Sequence, residues 1–227
     1  MMKELVENML SYERQLFFML NGSDSTFLDN MMWILSRTSV WFLLYLFVAL
    51  FLFHKTLKRK AALILLFFVL TVVLCDQFSS GLLKPFFERL RPTHHPDFKD
   101  LVDIVHGHRG GGFSFISGHA TNSFGFAVFL SVIFRNRWVT LVSLVWATII
   151  SYSRIYLGVH FISDVVGGML AGTLIALIMY VVFVSLQKKL FQPDSPEEVR
   201  IYSQQQGKIL ASVFAIYSLA VLAYGQF

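Results

Sequence analysis

An all-α, integral membrane helical bundle is the fold this sequence predicts, and three observations predict it. The 227 residues are 56% apolar and only 15% charged, against roughly 45–50% and about 25% in a soluble domain. The apolar residues gather into long runs separated by short polar turns, several of them basic. No runs of about ten alternating residues recur, as a membrane β-barrel would require. Mean hydropathy of +0.62 excludes a disordered chain. The single cysteine, Cys75, excludes an internal disulfide framework, a cysteine zinc site and a redox pair. The formal charge of +5 is scattered between apolar blocks and reads as membrane topology, so no nucleic-acid partner is expected.

Six spans follow in order, each judged against the roughly 20 apolar residues that cross a bilayer. Phe27–Phe53 supplies the first, with Arg37 as its central charge, and Ala61–Leu83 the second, interrupted by Asp76 and Gln77. Thr121–Phe134 and Trp138–Tyr152 are short and form a helical hairpin, extended at each end by loop residues. Phe161–Leu186 is the fifth span and Ile209–Tyr224 the sixth. Ahead of them, Met1–Leu20 mixes charges with Leu5, Met9, Leu16 and Phe17, the pattern of an amphipathic helix lying at the interface. Acidic residues interrupt it where a signal peptide would be apolar. Asn21-Gly22 then reads as its C-cap. The chain is thus expected to be one membrane-embedded unit over 1–227, with an interfacial helix at 1–22 and a long outer loop at 84–119.

Basic turns at 54–60, at Arg135 and Arg137, and at Lys188-Lys189 fall on one side if positive residues stay inside. The loops at 84–119 and 153–160 then share the extracytoplasmic face with both termini. Those two loops hold nearly all the remaining polar chemistry.

The first polar piece is Lys84-Pro85-Phe86-Phe87-Glu88-Arg89-Leu90-Arg91-Pro92. A short helix there sets Lys84 and Arg91 two turns apart and nearly on one face, an arrangement suited to a polyanion; alone, it equally suits lipid headgroups. The second is Ser117-Gly118-His119, where a helix N-terminus attracts an anion and a histidine exchanges a proton. The third runs from Ser153-Arg154 to His160 and Asp164. A carboxylate four residues after His160 holds one ring nitrogen and leaves the other free as a nucleophile. Ionisable groups at membrane depth are functional by default. Together these pieces supply what phosphoryl transfer needs: fixed positive charge, an in-line nucleophile and an acid for the leaving oxygen.

Lys84-x6-Arg91-Pro92, Ser117-Gly118-His119 and Ser153-Arg154-x5-His160 resemble the three-part signature of the type 2 phosphatidic acid phosphatase (PAP2) superfamily, in its membrane branch. The resemblance implies metal-independent hydrolysis of a lipid phosphomonoester or diphosphate through a phosphohistidine, without cofactor. It makes His160 the nucleophile, Asp164 its orienter and His119 the acid. Lys84, Arg91, Ser117, Gly118 and Arg154 then bind the phosphate. Ile116 stands where the family usually has proline, which bears on loop shape rather than on the reacting groups.

Other polar residues are read as bystanders. His94, His95, His106 and His108 match no zinc spacing, and Asp97, Asp100 and Asp103 are a remote alternative as divalent-ion ligands. Gly110-Gly111-Gly112 reads as a flexible hinge over the site, with an anion-binding nest as the alternative, and Gly167-Gly168 and Gly172 as helix-packing positions. Arg37 and Asp76 are candidates for a mutual ion pair, and Asp76, near the outer end of its span, equally for contact with the outer loop. The connector at 188–208 carries no evident chemistry. The expected partner is a phosphorylated bacterial envelope lipid, undecaprenyl diphosphate or lipid A, with phosphatidylglycerol phosphate and phosphatidic acid as alternatives. The rivals are a vanadium haloperoxidase and a non-enzymatic phospholipid-binding or transport protein. Oligomeric state is not legible.

Overall fold

The computed structural model describes residues 2–192 and 201–224. Among them there is no strand. The helices are α1 (Met2–Leu20), α2 (Thr26–Ser36), α3 (Phe42–Phe51), α4 (Lys58–Asp76), α5 (Lys84–Phe87), α6 (Gly118–Phe134), α7 (Arg137–Tyr156), α8 (Ile162–Phe191) and α9 (Gln204–Tyr224). Four helical stretches are long and apolar enough to cross a membrane: Lys58–Phe87, Arg137–Tyr156, Ile162–Phe191 and Gln204–Tyr224. The outward sides of α8 and α9 carry Leu170, Leu174, Val181, Ile216 and Leu219 at 60–67% exposure. So much exposed hydrocarbon is untenable in water and ordinary against lipid.

α6 is the axis of the bundle. At 17 residues it is about 25 Å long, and it packs against α4, α7 and α8. Its contact with α8 is close enough to exclude side chains. A Cβ at Gly172 would lie 2.2 Å from the Thr121 carbonyl oxygen, and one at Gly168 would lie 2.6 Å from that of Ser117. These glycines do pack helices, as their spacing suggests.

Two expected elements differ. The first span is not one helix but a pair, Thr26–Ser36 and Thr38–Phe51, bent by 66°. The break falls at exposed Arg37, and the backbone groups it frees find other partners: Trp41 Nε1 donates to the Leu35 carbonyl at 2.9 Å. No ion pair joins Arg37 to Asp76 among the described residues; the Asp76 carboxylate accepts from Ser80 Oγ at 3.5 Å. The second span is longer than expected. It runs through a π-helical segment, Gln77–Leu83, into α5, so Lys84 sits in the last turn of a span and the irregular loop begins at Glu88. Glu88 adopts a left-handed φ of 53°, which ends the helix. Lys84 and Arg91 therefore share no helical face.

α1 presents two apolar sides. Val6, Leu10 and Phe17 are buried with Glu13, while Leu5, Tyr12, Leu16 and Met19 are exposed. Phe17 seats the helix in an aromatic cluster, its ring 5.9 Å from Phe98 and 5.5 Å from Phe161. At the other end of the bundle, Gln206 Nε2 donates to the His54 carbonyl at 2.8 Å and Asn136 Nδ2 to Gln204 Oε1 at 2.7 Å. Of the expected connector at 188–208, residues 193–200 lie outside the described residues.

Candidate active site

Five helix ends, those of α2, α5, α6, α7 and α8, and the loop between α5 and α6 meet at the end of the bundle nearest α1. α6 begins at Gly118, with Ser117 as N-cap accepting from the Ala120 amide at 3.4 Å. The peptide bond before Ile116 is cis. Ser117 N donates to the Asp164 carbonyl at 2.9 Å, which ties the start of α6 to the start of α8. The π-helical segment lies against this turn: a Cβ at Gly118 would be 3.4 Å from Ser79 Oγ and 3.8 Å from Lys84 Nζ. Lys84 thus reaches the Ser117-Gly118-His119 turn from a different span.

His160 lies 2% exposed in the tight turn between α7 and α8. It is not part of α8, so its contact with Asp164 is not the intrahelical pairing expected. The turn delivers it instead. Asp164 Oδ2 accepts from the Phe161 amide at 2.9 Å, capping the helix, and the same oxygen stands 3.4 Å from His160 Nδ1. Arg91 donates to His160 Nε2 at 3.2 Å, and to the carbonyls of Val159 at 2.8 Å and Gly111 at 2.9 Å. These partners assign the proton to Nδ1 and the lone pair to Nε2. Burial first, and then the positive charges of Arg91, Arg154 and Lys84, hold the His160 pKa well below its usual value, against a hydrogen bond to the Ser114 backbone. His160 is therefore neutral at physiological pH.

Arg154 reaches the pocket from the last turn of α7, 6% exposed. It donates to Ser36 Oγ, while its Nε is buried with no hydrogen-bond partner among the described residues. His119 is half-buried, and its Nε2 is 3.1 Å from the Ser36 carbonyl oxygen. The His119 contact depends on the break after α2: a helix ending at Ser36 leaves that carbonyl without an intrahelical partner. His119 also lies within electrostatic reach of Arg154, His160 and Lys84.

All eight residues singled out in the sequence converge here: Lys84, Arg91, Ser117, Gly118, His119, Arg154, His160 and Asp164. Three others were missed. Ser36 is one. Arg89 and Glu13 are the others: Arg89, 1% exposed, donates to Asp164 Oδ1 at 2.6 Å and to Glu13 Oε1 at 3.0 Å. Glu13 had one signal, a carboxylate in helical register with Val6, Leu10 and Phe17. The loop histidines scatter. His94 meets Thr93 Oγ1 at 3.1 Å and His95 meets Glu7 at 3.7 Å. His106 meets Asn30 at 3.0 Å, and His108 packs on Trp33. Among the described residues no three His, Cys, Asp or Glu side chains come together as metal ligands.

A cleft of about 420 Å³ opens beside His119. Apart from Ser36, Asn122 and a few other polar groups, its walls are apolar, with Trp41 and Tyr45 on the α2–α3 side and Val69 and Val73 on α4. Val69 and Val73 are about half exposed on the outward face of that helix.

Buried cations around two imidazoles, at one end of a membrane bundle and open to an apolar cleft, define a membrane-embedded phosphatase. The chain belongs to the PAP2 superfamily, whose family pattern matches residues 61–188. It is 40% identical over 193 residues to a lipid A 4'-phosphatase of Porphyromonas gingivalis, covering 84% of this chain and 81% of that one. It is 35% identical to a lipid A 4'-phosphatase of Bacteroides thetaiotaomicron, over 95% of this chain and 99% of the other. The fold is similar to the crystal structure of Aquifex aeolicus LpxE, with a TM-score of 0.58, 28% identity, and 75% and 95% of the two chains covered. The enzyme is a lipid phosphatase that hydrolyses phosphoric monoesters.

Proposed function

We propose that this phosphatase removes a phosphate from lipid A on the extracytoplasmic face of the inner membrane, through a phosphohistidine on His160. The observation that carries the mechanism is the placement of the His160 ring, with Nδ1 3.4 Å from Asp164 and Nε2 3.2 Å from Arg91. Lys84, Arg91 and Arg154 grip the equatorial oxygens, with Ser117 and the Gly118 amide at the α6 N-terminus completing the cradle. The partnerless Nε of Arg154 gives that cradle an unused donor. As Arg91 turns its hydrogen bond from His160 Nε2 to the phosphate, Nε2 is freed to attack phosphorus, while Asp164 holds Nδ1–H and stabilises the imidazolium character that develops. With the anionic phosphate bound, His119 carries a second proton: the Ser36 carbonyl holds its Nε2–H, and its Nδ1–H protonates the departing sugar oxygen. In the second step it takes one from water, which hydrolyses the phosphohistidine. The apolar cleft next to His119 accommodates acyl chains of the lipid.

Two features support the substrate and the side of the membrane, and a third supports hydrolysis without a metal. Two relatives matched over most of their length are lipid A 4'-phosphatases. The site lies at the end of the bundle opposite the basic turns at 54–60 and at Arg135 and Arg137, which the positive-inside rule puts in the cytoplasm. The cation cradle supplies the charge stabilisation that a metal supplies elsewhere. Phosphate release by the purified protein is the test, over a panel of lipid A, undecaprenyl diphosphate, phosphatidylglycerol phosphate and phosphatidic acid. Lipid A is expected to be turned over fastest, EDTA to leave the rate unchanged, and His160→Ala and His119→Ala to abolish turnover while still folding in detergent. Near-normal release from His160→Ala removes the mechanism; preference for another lipid removes the substrate.

A further inference from the structure

We propose that Arg89 and Glu13 are positioning residues for the nucleophile, so that the N-terminal helix α1 holds His160 in its reactive orientation. This rests on the reading of His160 and Asp164 above and extends it to a helix lacking any of the signature residues. Arg89 is the hub. It donates through one terminal nitrogen to Asp164 Oδ1 at 2.6 Å and Ser163 Oγ at 2.7 Å, and through the other to Glu13 Oε1 at 3.0 Å. Glu13 closes the ring by accepting from the Ser163 amide and the Ser163 hydroxyl, each at 2.7 Å. The guanidinium also covers the Phe161 ring at 4.5 Å. Arg89 and Glu13, held to each other, therefore both grip the segment 161–164.

The charges make the network more than scaffolding. Asp164 is 0% exposed, Arg89 1% and Glu13 9%. The other titratable groups facing them are Glu7, 3.9 Å from Arg89 and half exposed, His95 beyond Glu7, and, on the far side of Asp164, His160 with Arg91 and the more distant Lys84. A buried carboxylate stays ionised only when a cation or enough donors compensate it. Arg89 is the cation in direct contact with Asp164, and Asp164 must be ionised to hold His160 Nδ1–H. Two carboxylates on one guanidinium also fix its orientation, which a single partner does not. None of the phosphate-gripping side chains touches this network, so its loss is expected in turnover rather than in substrate capture.

The test is the pH dependence of kcat for lipid phosphate hydrolysis in four folded variants: Arg89→Gln, Arg89→Lys, Glu13→Gln and the double Arg89→Gln/Glu13→Gln. Arg89→Gln leaves two buried carboxylates without their cation. One takes a proton, and the acid-side midpoint of kcat rises by about 1–3 pH units, with activity returning at alkaline pH. Arg89→Lys keeps a midpoint near that of the wild type. Adding Glu13→Gln to Arg89→Gln removes the second charge and brings the midpoint back down. Equal loss at every pH, or an additive further loss in the double variant, overturns the proposal. Should Arg89→Gln not fold, Glu13→Gln alone decides: kcat falls several-fold at unchanged KM, whereas a raised KM at constant kcat refutes it. An active His160→Ala would instead strike the underlying mechanism, so the two failures are distinguishable.

Discussion

Gly172→Ala tests whether the α6–α8 contact sets the distance between the two imidazoles. The added methyl lies 2.2 Å from the Thr121 carbonyl oxygen and 2.9 Å from the Gly125 nitrogen, both backbone atoms that no rotamer change moves. Ordinary non-bonded contact is roughly 3.5 Å, so the helices must part locally by about 1 Å. Overpacking of this kind costs about 1–3 kcal/mol of stability. The larger effect is on catalysis. α6 carries His119 in its first turn and α8 carries Asp164 in its first turn, with the Ser117–Asp164 backbone bond at 2.9 Å as the joint between them. A displacement of about 1 Å between reacting groups lowers a rate on the order of 100-fold. Single-turnover phosphate release in detergent measures it, with Leu174→Ala, on the lipid-facing side of the same helix, expected to keep the wild-type rate. A Gly172→Ala enzyme within a few-fold of wild-type kcat would falsify the claim that this packing spaces the site.

Two further outcomes are expected. The His160 pKa lies below its unfolded value of about 6.5, so the unfolded chain binds a proton that the folded chain refuses. The contribution of His160 to stability is thus fully present above about pH 6.5 and declines as pH falls from there towards the folded pKa. An NMR titration of the His160 ring that shows it protonated at pH 6 contradicts this. Ser36→Ala deprives the buried Arg154 of its hydroxyl partner and lowers stability by about 1–3 kcal/mol. Vanadate or phosphate, by giving Arg154 a new acceptor, should raise the thermal midpoint of the variant more than that of the wild type; equal shifts argue against the contact.

The sequence carried the architecture because membrane spans are written in local composition: apolar runs and the basic turns between them need no tertiary information. The signature residues were equally legible, since each of the three motifs is local and chemically unusual at membrane depth. What escaped depended on distant partners. The run from Phe27 to Phe53 is nearly uniformly apolar, and its break at Arg37 makes sense only once Ser36 is seen facing His119 and Arg154. Lys84 and Arg91 suggested one helix, but the left-handed Glu88 ends it between them and brings the two cations together from separate elements. Arg89 and Glu13 lie 76 residues apart, and no spacing rule joins them. A carboxylate on the buried side of α1 was the available hint.

The cleft beside His119 changes what the word concentration means for this enzyme. Its walls lead from the imidazole to the outward face of α4, so on the proposed function a lipid substrate would arrive sideways, out of the leaflet, without leaving the hydrocarbon. Turnover should then track the mole fraction of phosphorylated lipid in the membrane plane. Diluting vesicles in buffer leaves that fraction unchanged, while adding inert lipid lowers it and slows the enzyme.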